Sequence, residues 1–365
     1  MKNTFGSSFA VTLFGESHGD TIGAVLDGIA PGIPIDHDYI EKQLRLRRPA
    51  GTISTSRVEP DRYSIVSGVF NGKTTGTPLC ILIPNENKNS GDYAADRFLP
   101  RPGHADLTGS YKYHGYEDRR GGGHFSGRLT APLVAAGAIA LTALRRKGIT
   151  LGTHIKRCAG IPDRDFCNVQ EDLAFLNDAE FAVLDPNAAN EMKNAIEAAA
   201  AAGDSVGGVL ETCVRGLPGG VGEPWFDSVE SVLSHTLFSI PAVKGVEFGD
   251  GFSLCDKKGS QANDAMRWEN GGVRFRSNHN GEILGGITTG NDLLFRIAVK
   301  PTPSVFTEQE TIDPAAEKTA TLRLRGRHDP AIVHRARVVA DSVTAIALCD
   351  LLALRYGTDW LRGAD

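Results

Sequence analysis

Apolar residues are distributed along the chain in two patterns, which predict two kinds of element. Residues 129–147 and 331–356 are rich in Ala, Leu, Ile and Val over lengths too great for a strand, so each predicts a largely buried helix. Gly148 and Gly357 follow these runs directly, at the position where glycine commonly ends a helix. Shorter apolar runs separated by Gly and Pro predict strands that outnumber the helices.

A segment near the start of the chain is repeated near its middle. Residues 19–27 read GDTIGAVLD and residues 203–211 read GDSVGGVLE, an offset of 203 − 19 = 184 residues. Each copy continues to a Pro-Gly turn and then to a helix, for which Asp36 and Asp227 are the expected N-caps. One repeat at half the chain length predicts two similar halves rather than a solenoid.

The predicted architecture is α+β, with the long helices in the interior between antiparallel sheets. Turns of the hairpins are expected at residues 73–76 and 248–251. The predicted boundaries are 1–365 for a single domain, about 1–150 and 200–365 for the halves, and 151–199 for the connecting segment.

Composition excludes several classes of protein. A hydrophobic content of 41% and a charged content of 23% are ordinary for a globular chain, and a net charge of −5 gives no basic surface for nucleic acid. The apolar run 131–144 is too short to span a bilayer, and the first residues lack the apolar core of a signal peptide. Six scattered cysteines predict neither a disulfide framework nor a zinc site. We expect a cytoplasmic protein with no nucleic-acid or membrane partner.

Two glycine-flanked loops carry histidine, the side chain best suited to proton transfer near neutral pH. Residues 15–19 read GESHG and residues 101–106 read RPGHAD. The second copy of the repeated segment has Ala202 where the first has His18, so the halves differ at the proposed chemistry. The alternative for His18 and His104 is a turn residue bonded to backbone.

Arginine is concentrated in groups, and guanidinium groups bind carboxylate and phosphate through paired hydrogen bonds. Arg47 and Arg48 precede Pro49, which ends a helix, so both are expected to face a loop. For Arg45, Arg62 and Arg337 a solvated helix face with ion pairs is the preferred interpretation.

A glycine-rich loop, residues 121–128 (GGGHFSGR), can present backbone N–H groups to an anion at the start of a helix. The alternative is a plain turn into that helix. Residues 300–304 (KPTPS) place a cation and two hydroxyls at a strand end, which suits a phosphate. Residues 68–74 miss the P-loop pattern by one position and predict a hairpin turn, and no dinucleotide-binding fingerprint is present.

Five segments together resemble the motif set of chorismate synthase, and the match runs from about residue 5 to about residue 355. They are residues 15–19, 101–106, 121–128, 300–304 and 326–330 (GRHDP). The resemblance implies a β-α-β sandwich with central helices, assembled as a homotetramer. It also implies the last step of the shikimate pathway, the anti-1,4-elimination of phosphate from 5-enolpyruvylshikimate 3-phosphate to give chorismate. That reaction needs reduced FMN although it involves no net redox change.

The resemblance also implies roles for individual residues. His18 would protonate or hydrogen-bond the departing phosphate, His104 would set the protonation of the flavin, and Asp329, helped by Ser17, would relay a proton. The alternative for Asp329 is a helix N-cap before Pro330. The implied substrate-binding residues are Arg47, Arg48, Arg57, Arg128 and Arg337. The implied flavin-binding residues are His124, Phe125, Ser126, Pro241, Ala242, Gly285, Lys300, Pro301, Thr302, Pro303, Ser304 and Arg327.

The chain departs from some family members at two places. His124-Phe125-Ser126 stands where they have Arg-Ser-Ser, and Ile53-Ser54 occupies a stretch in which another type carries an arginine.

No pyridine-nucleotide motif is present, so we expect an external flavin reductant rather than reduction by NADPH on this chain.

Two other functions remain as alternatives. One is a metal-dependent hydrolase or lyase with ligands among His18, His104, Asp106 and His124, although no two of these have the His-x-x-x-His spacing. The other is a flavin- or phosphate-binding protein without catalysis, against which the intact His18, His104 and Asp329 argue.

Overall fold

The computed structural model describes residues 3–49, 51–55, 59–86, 98–269, 271–324 and 328–362. The α-helices in these ranges are α1 (His37–Arg47), α2 (Asp106–Tyr113), α3 (Thr130–Arg146), α4 (Val169–Asp178), α5 (Pro186–Ala201), α6 (Val229–Leu237), α7 (Gly259–Ala262) and α8 (Val333–Tyr356). Short 3₁₀ helices are Gly51–Ile53, Arg120–Phe125, Gly127–Leu129, Trp225–Asp227, Gly251–Asp256 and Thr358–Arg362.

The strands of the same ranges are β1 (Thr4–Phe5), β2 (Ala10–Phe14), β3 (Thr21–Asp27), β4 (Ser64–Ser67), β5 (Val69–Phe70), β6 (Lys73–Thr74), β7 (Leu79–Pro84), β8 (Thr150–Cys158), β9 (Ile161–Pro162), β10 (Gly208–Arg215), β11 (Val243–Phe248), β12 (Met266–Glu269), β13 (Gly272–Phe275), β14 (Ile283–Leu284), β15 (Ile287–Thr288), β16 (Leu293–Val299), β17 (Gln309–Asp313) and β18 (Lys318–Leu322).

Two antiparallel sheets form the outer layers of the molecule. In the described part of the chain the first has the order β1-β2-β3-β7-β4 and the second has the order β11-β16-β10-β8-β9. The strands that overlap the two copies of the repeated segment, β3 and β10, are each the central strand of a sheet. This placement agrees with two similar halves, and the duplication itself stays a prediction.

The two long helices lie between the sheets. Helix α3 packs on β3 and β7, α8 packs on β8 and β10, and the two helices contact each other. At their crossing a Cβ on Gly137 would lie 2.3 Å from the Cβ of Ser342, so the approach of the helices requires glycine. The structure confirms the predicted α+β fold with long helices between antiparallel sheets.

The apolar composition of α3 is explained by its position. By length and composition the segment Gly127–Arg146 could cross a membrane, but 83% of its most apolar window is buried inside the protein. Helix α8 is buried on nearly all faces in the same layer. Both helices end close to the predicted positions, and Gly148 and Gly357 have the positive φ values, 74° and 84°, that suit glycine there.

The two predicted helix caps have different outcomes. The Asp36 carboxylate accepts a hydrogen bond from the N–H of Tyr39 and caps α1 as predicted. The prediction of Asp227 was wrong, because this residue lies in a 3₁₀ turn and Ser228 caps α6 by accepting from the N–H of Ser231. Serine and aspartate are comparable caps, so the sequence could not choose between neighbours.

The predicted hairpin turns also have different outcomes. Lys73 and Thr74 belong to β6, and the turn of that hairpin falls at Asn71 and Gly72, which have positive φ. The chain does turn after Phe248, but β11 pairs with β16 rather than with the strand that follows it. The second prediction was therefore correct as a turn and wrong as a hairpin.

The start of the chain is fixed to the last long helix through Asp350. Its Oδ1 accepts the backbone N–H groups of Ser7, Ser8 and Phe9 at 3.0, 2.7 and 2.9 Å. Hydrogen bonds to an ionised acceptor are stronger than those between neutral groups. The connection between β1, the edge strand of the first sheet, and β2 is therefore held by the second half of the molecule.

A charged cluster is buried on the second sheet around His154 of β8. The ring Nδ1 lies 2.7 Å from Asp163 Oδ2, the ring Nε2 lies 2.9 Å from Glu211 Oε2, and Arg296 Nε donates to Glu211 Oε1 at 2.6 Å. Burial disfavours the charged ring, but the bonds to Asp163 and Glu211 outweigh it and raise the pKa of His154. His154 is therefore an imidazolium that donates from both nitrogens.

We expect His154 to make the stability of the protein depend on pH. A pKa raised above the unfolded value of 6.5 means that its contribution is fully present below that pH and is lost as pH rises through the folded pKa. The melting temperature of the wild type should therefore fall more than that of His154→Gln as pH rises from about 6 to about 9. Calorimetry of both proteins measures this, and parallel curves would contradict it.

Candidate active site

Residues of both halves line a cavity of about 810 Å³, a volume within the usual range of small-molecule sites. Part of the lining is apolar and comes from β2, α3 and α8. The polar part comes from loops between elements. The residues of the implied site that line this cavity are His104, His124, Phe125, Ser126, Pro241, Ala242, Lys300, Thr302, Pro303, Ser304 and Asp329.

The loop that carries Ser17 and His18 connects β2 to β3, and both side chains are buried. The glycine-rich loop holds it by two hydrogen bonds: Ser17 N–H donates to the Gly123 carbonyl at 3.0 Å, and His124 Nδ1 donates to the Gly15 carbonyl at 2.8 Å. His124, implied to bind flavin, therefore also positions the His18 loop.

Asn85 holds the same loop from the other side. Its amide nitrogen donates to the carbonyl oxygens of Glu16 and Gly19 at 3.0 and 2.8 Å. Its Oδ1 accepts from Arg128 Nε at 2.9 Å, so one amide connects a predicted substrate-binding arginine to the His18 loop. Sequence reasoning missed Asn85, because no motif surrounds it.

Gly121 lies directly against Ser17 and His18 and also lines the cavity. A Cβ at this position would be 2.3 Å from His18 Cε1, 2.5 Å from His18 Nδ1 and 2.9 Å from Ser17 Oγ. The backbone has φ of +60°, which glycine adopts readily. Among the described residues the buried Ser17 Oγ has no hydrogen-bond partner. Gly121 therefore lies between the Ser17–His18 pair, which does not line the cavity, and the residues that do.

Replacing Gly121 with alanine is expected to lower kcat by about 10–100-fold, because the new methyl group must displace the His18 ring and small misplacements of catalytic groups cost that much. Steady-state turnover measures the effect. Gly115→Ala is a matched control, since Gly115 also has positive φ but a Cβ there would contact nothing within 4 Å. Equal losses in the two variants would attribute the effect to backbone strain instead.

His104 is oriented by its neighbour Asp106. The His104 Nδ1 lies 2.8 Å from Asp106 Oδ1, and Arg101 donates to both carboxylate oxygens at 2.7 Å. Burial raises the pKa of Asp106, but the bonds from Arg101 and His104 outweigh it and hold that pKa well below its usual range. Arg101 Nη2 also lies 3.1 Å from His104 Nδ1, and Nε2 is the nitrogen next to Gly122. The motif RPGHAD thus contains its own orienting pair.

Asp329 does not cap a helix. Helix α8 begins four residues later, and Asp329 Oδ1 accepts from the N–H of Thr55 at 2.9 Å while Oδ2 accepts from Arg335 Nη1 at 2.6 Å. Arg335 Nε also donates to the carbonyl of Arg47 at 2.8 Å. The helix-cap interpretation was therefore wrong, and both oxygens of the carboxylate are held at the cavity wall.

Asp61 organises the arginines that were predicted to bind substrate. Its Oδ2 accepts from Arg47 Nη2 at 2.7 Å, its Oδ1 bonds to Arg128 Nη1, and Arg48 Nε lies 3.5 Å from Oδ2. Burial raises the pKa of Asp61, but Arg47 and Arg128 outweigh it and lower that pKa. Arg47 also reaches the cavity lining through Thr130, whose Oγ1 is 3.3 Å from Nη1. Sequence reasoning missed Asp61.

The structure does not bring Arg337 into the site. Its side chain is buried in the core, where it donates to the carbonyl oxygens of Leu176 and Ala179 at the end of α4. Both sequence interpretations, a solvated ion pair and a substrate contact, are corrected by this placement. Arg57 and Arg327 lie outside the described residues.

The KPTPS segment contributes polar groups to the cavity. Lys300 Nζ donates to the Gly103 carbonyl, and Ser304 Oγ accepts from Arg101 Nη1 at 3.1 Å, so this segment is tied to the His104 loop. Thr302 Oγ1 is buried at the lining and has no hydrogen-bond partner among the described residues. Among the described residues with implied roles, those that do not line the cavity are Ser17, His18, Arg47, Arg48, Arg128, Arg337, Gly285 and Pro301.

The positions of the described residues test the alternative of a metal-dependent hydrolase or lyase. Of its four proposed ligands, His104 and Asp106 contact each other, and His124 is bonded to a backbone carbonyl. Within the ranges that the structure describes, no three His, Cys, Asp or Glu side chains converge as a metal site would require.

Comparisons with known proteins agree on one family. The family model described as chorismate synthase matches residues 9–353. A chorismate synthase of Chitinophaga pinensis is 45% identical over 352 residues, covering 96% of this chain and 97% of the relative, and one of Pyrococcus abyssi is 44% identical over 350 residues with the same coverage. A crystal structure of chorismate synthase matches with a TM-score of 0.77 at 29% identity, covering 97% of this chain and 94% of the other.

Proposed function

The chain belongs to the chorismate synthase family and forms chorismate, and we propose that it does so at the cavity described above. The observation that carries this placement is the contact of one glycine-rich loop with both histidine loops: Gly121 lies on His18 and Gly122 lies beside His104. Asp329 lines the same cavity. Elimination of phosphate requires a bound anion, a proton donor and a proton acceptor, and these residues supply the last two.

We propose that reduced FMN is the cofactor. The cavity combines an apolar lining with polar loops, which fits a flat ring system with one apolar edge and one polar edge. The unpartnered Thr302 hydroxyl and the Lys300 ammonium suit the polar part of such a group. When bound, the cofactor supplies electron density for the loss of phosphate and recovers it as the proton leaves.

His104 would govern protonation beside the cofactor. Because Asp106 and Arg101 both contact Nδ1, the same imidazole presents Nε2 as its exchangeable site. Arg101 connects this pair to Ser304 of the KPTPS segment, so hydrogen bonds join the histidine loop to the polar cavity wall.

His18 would donate a proton or a hydrogen bond to the departing phosphate. Its loop is held at both faces, by Asn85 and by the glycine-rich loop, so the imidazole is positioned before substrate binds. Arg47 and Arg128, paired through Asp61, would hold the substrate anions near it.

Asp329, helped by Ser17, would accept and relay the proton removed from the substrate. The Thr55 N–H and the Arg335 guanidinium each occupy one of its oxygens, which fixes the carboxylate against rotation. An oriented carboxylate at a cavity wall is the arrangement that general base catalysis requires.

We also propose a cytoplasmic homotetramer that receives electrons from an external reductant. Large exposed aromatic side chains in the second half support an interface between subunits: Trp225, Phe226, Phe252 and Trp268 are at least 75% exposed. The chain's own motifs include none for a pyridine nucleotide.

The experiment that tests these proposals is an anaerobic assay with 5-enolpyruvylshikimate 3-phosphate and chemically reduced FMN, in which chorismate and phosphate are followed together. Equal release of both products that depends on added reduced FMN would support the cofactor proposal. A second arm replaces the chemical reductant with NADPH, and turnover there would overturn the external reductant. Tight flavin binding without turnover would favour a binding protein instead.

A further inference from the structure

The segment from Arg47 to Thr55 is tied at both ends to the region where α8 begins. At one end Arg335 Nε donates to the Arg47 carbonyl at 2.8 Å. At the other end the Thr55 N–H donates to Asp329 Oδ1 at 2.9 Å, and Ser54 Oγ lies 2.6 Å from His334 Nε2. Asp329 and Arg335 are themselves bonded, so the two ends are joined through one carboxylate.

His334 is a buried ring that Ser54 reaches from the loop. It is 2% exposed and packs near Phe181, with ring centroids 6.4 Å apart. Burial, with a contribution from Arg335, lowers the pKa of His334 to about 4, so the ring is neutral at physiological pH. A neutral imidazole can accept the Ser54 hydroxyl hydrogen at Nε2 while Nδ1 carries its own hydrogen.

A second side-chain hydrogen bond of this segment is exposed to solvent. Thr52 Oγ1 donates to Glu197 of α5 at an exposed position. Exposed contacts to charged groups contribute little, because water competes for both partners. The bond between Ser54 and His334 is partly buried, so it constrains the segment next to Asp329 more strongly than the Thr52 contact does.

We propose that Ser54 and His334 are positioning residues for the reaction, whose hydrogen bond keeps the Thr55 N–H on Asp329 and the 51–55 segment ordered before substrate binds. The inference rests on the role proposed for Asp329. Without the bond, the segment must be ordered by the substrate itself, and the entropy of that ordering appears as weaker apparent binding.

The test compares Ser54→Ala, Ser54→Thr and Thr52→Val in the full-length protein. Ser54→Ala is expected to raise KM for 5-enolpyruvylshikimate 3-phosphate about fivefold to tenfold, the effect of one lost hydrogen bond, with less change in kcat. Ser54→Thr keeps the hydroxyl and should restore KM, and Thr52→Val should change KM by less than about twofold. Melting temperatures confirm that each variant is folded.

Amide hydrogen exchange at Thr55 gives a readout that is independent of turnover. Faster exchange at Thr55 in Ser54→Ala than in Thr52→Val supports the proposal, because Ser54→Ala leaves the Thr55–Asp329 bond itself chemically intact. Unchanged KM and unchanged exchange in Ser54→Ala would overturn it, as would equal effects of the two variants or a failure of Ser54→Thr to restore KM.

Asp329→Asn separates this proposal from the one on which it rests. If Asp329→Asn is inactive while Ser54→Ala has the KM and the Thr55 exchange rate of the wild type, the positioning role is rejected and the role of Asp329 is kept. Full activity of Asp329→Asn would reject the role of Asp329, and the positioning role with it.

Discussion

Replacing His18 with alanine is expected to lower kcat by about 10²–10⁴-fold, the usual contribution of a general acid or base. The other two histidines of the implied site are held by other groups. His104 is paired with Asp106, and His124 is bonded to the Gly15 carbonyl. The variant should retain its fold, because the loop is held mainly through backbone groups. Anaerobic turnover with saturating reduced FMN measures the effect.

Two further measurements make this prediction specific. The affinity for FMN should be unchanged in His18→Ala, since His18 does not line the cavity and instead contacts Gly121, which does. His279→Ala is a matched control, because His279 is bonded to Asp250 in the second half and does not line the cavity. A kcat for His18→Ala within about threefold of the control would remove His18 from the chemistry.

Replacing Asp61 with alanine is expected to lower the free energy of unfolding by about 3–5 kcal/mol, because it leaves buried guanidinium groups without their carboxylate. The side chains of Arg47, Arg128 and Asp61 are all at most 5% exposed. Burial, the largest influence, already lowers the pKa of Arg128, which shows how poorly its surroundings solvate the charge. Chemical denaturation followed by circular dichroism measures the loss.

The control for Asp61 is an aspartate whose ion pair is exposed. Asp178 pairs with Lys42 at the surface, and its side chain is 78% exposed, so Asp178→Ala should leave the denaturation midpoint almost unchanged. A loss of stability in Asp61→Ala no larger than in Asp178→Ala would show that water reaches the arginines. In that case the cluster would not be preorganised for anion binding.

The sequence predicted the elements whose pattern is local. Helices α3 and α8 could be located because long apolar runs end at glycine, and the cap at Asp36 because its partner is three residues away. The two histidine loops were found because their glycines and histidines are contiguous in the chain. Each of these signals lies within one continuous stretch of the sequence.

The contacts that organise the site could not be predicted in this way, because they join residues far apart in the chain. Asp61 bonds Arg128 across 67 positions, and Arg128 bonds Asn85 across 43. Hydrophobic patterning places elements but does not say which carboxylate faces which arginine. Arg337 was misjudged for a related reason, since a helix that is buried on nearly every face can direct an arginine toward the carbonyl groups of a neighbouring helix end.

The contact between Asp350 and the backbone of Ser7 to Phe9 has a consequence for synthesis of the protein. These partners are separated by 341–343 positions, so the carboxylate is made long after the N–H groups that it accepts. At the usual speed of a ribosome, about 5–20 residues per second, roughly 20–70 s separate them. During that interval the N–H groups of Ser7, Ser8 and Phe9 lack this acceptor. The attachment of the first strands to the second half is therefore one of the last contacts that the new chain can form.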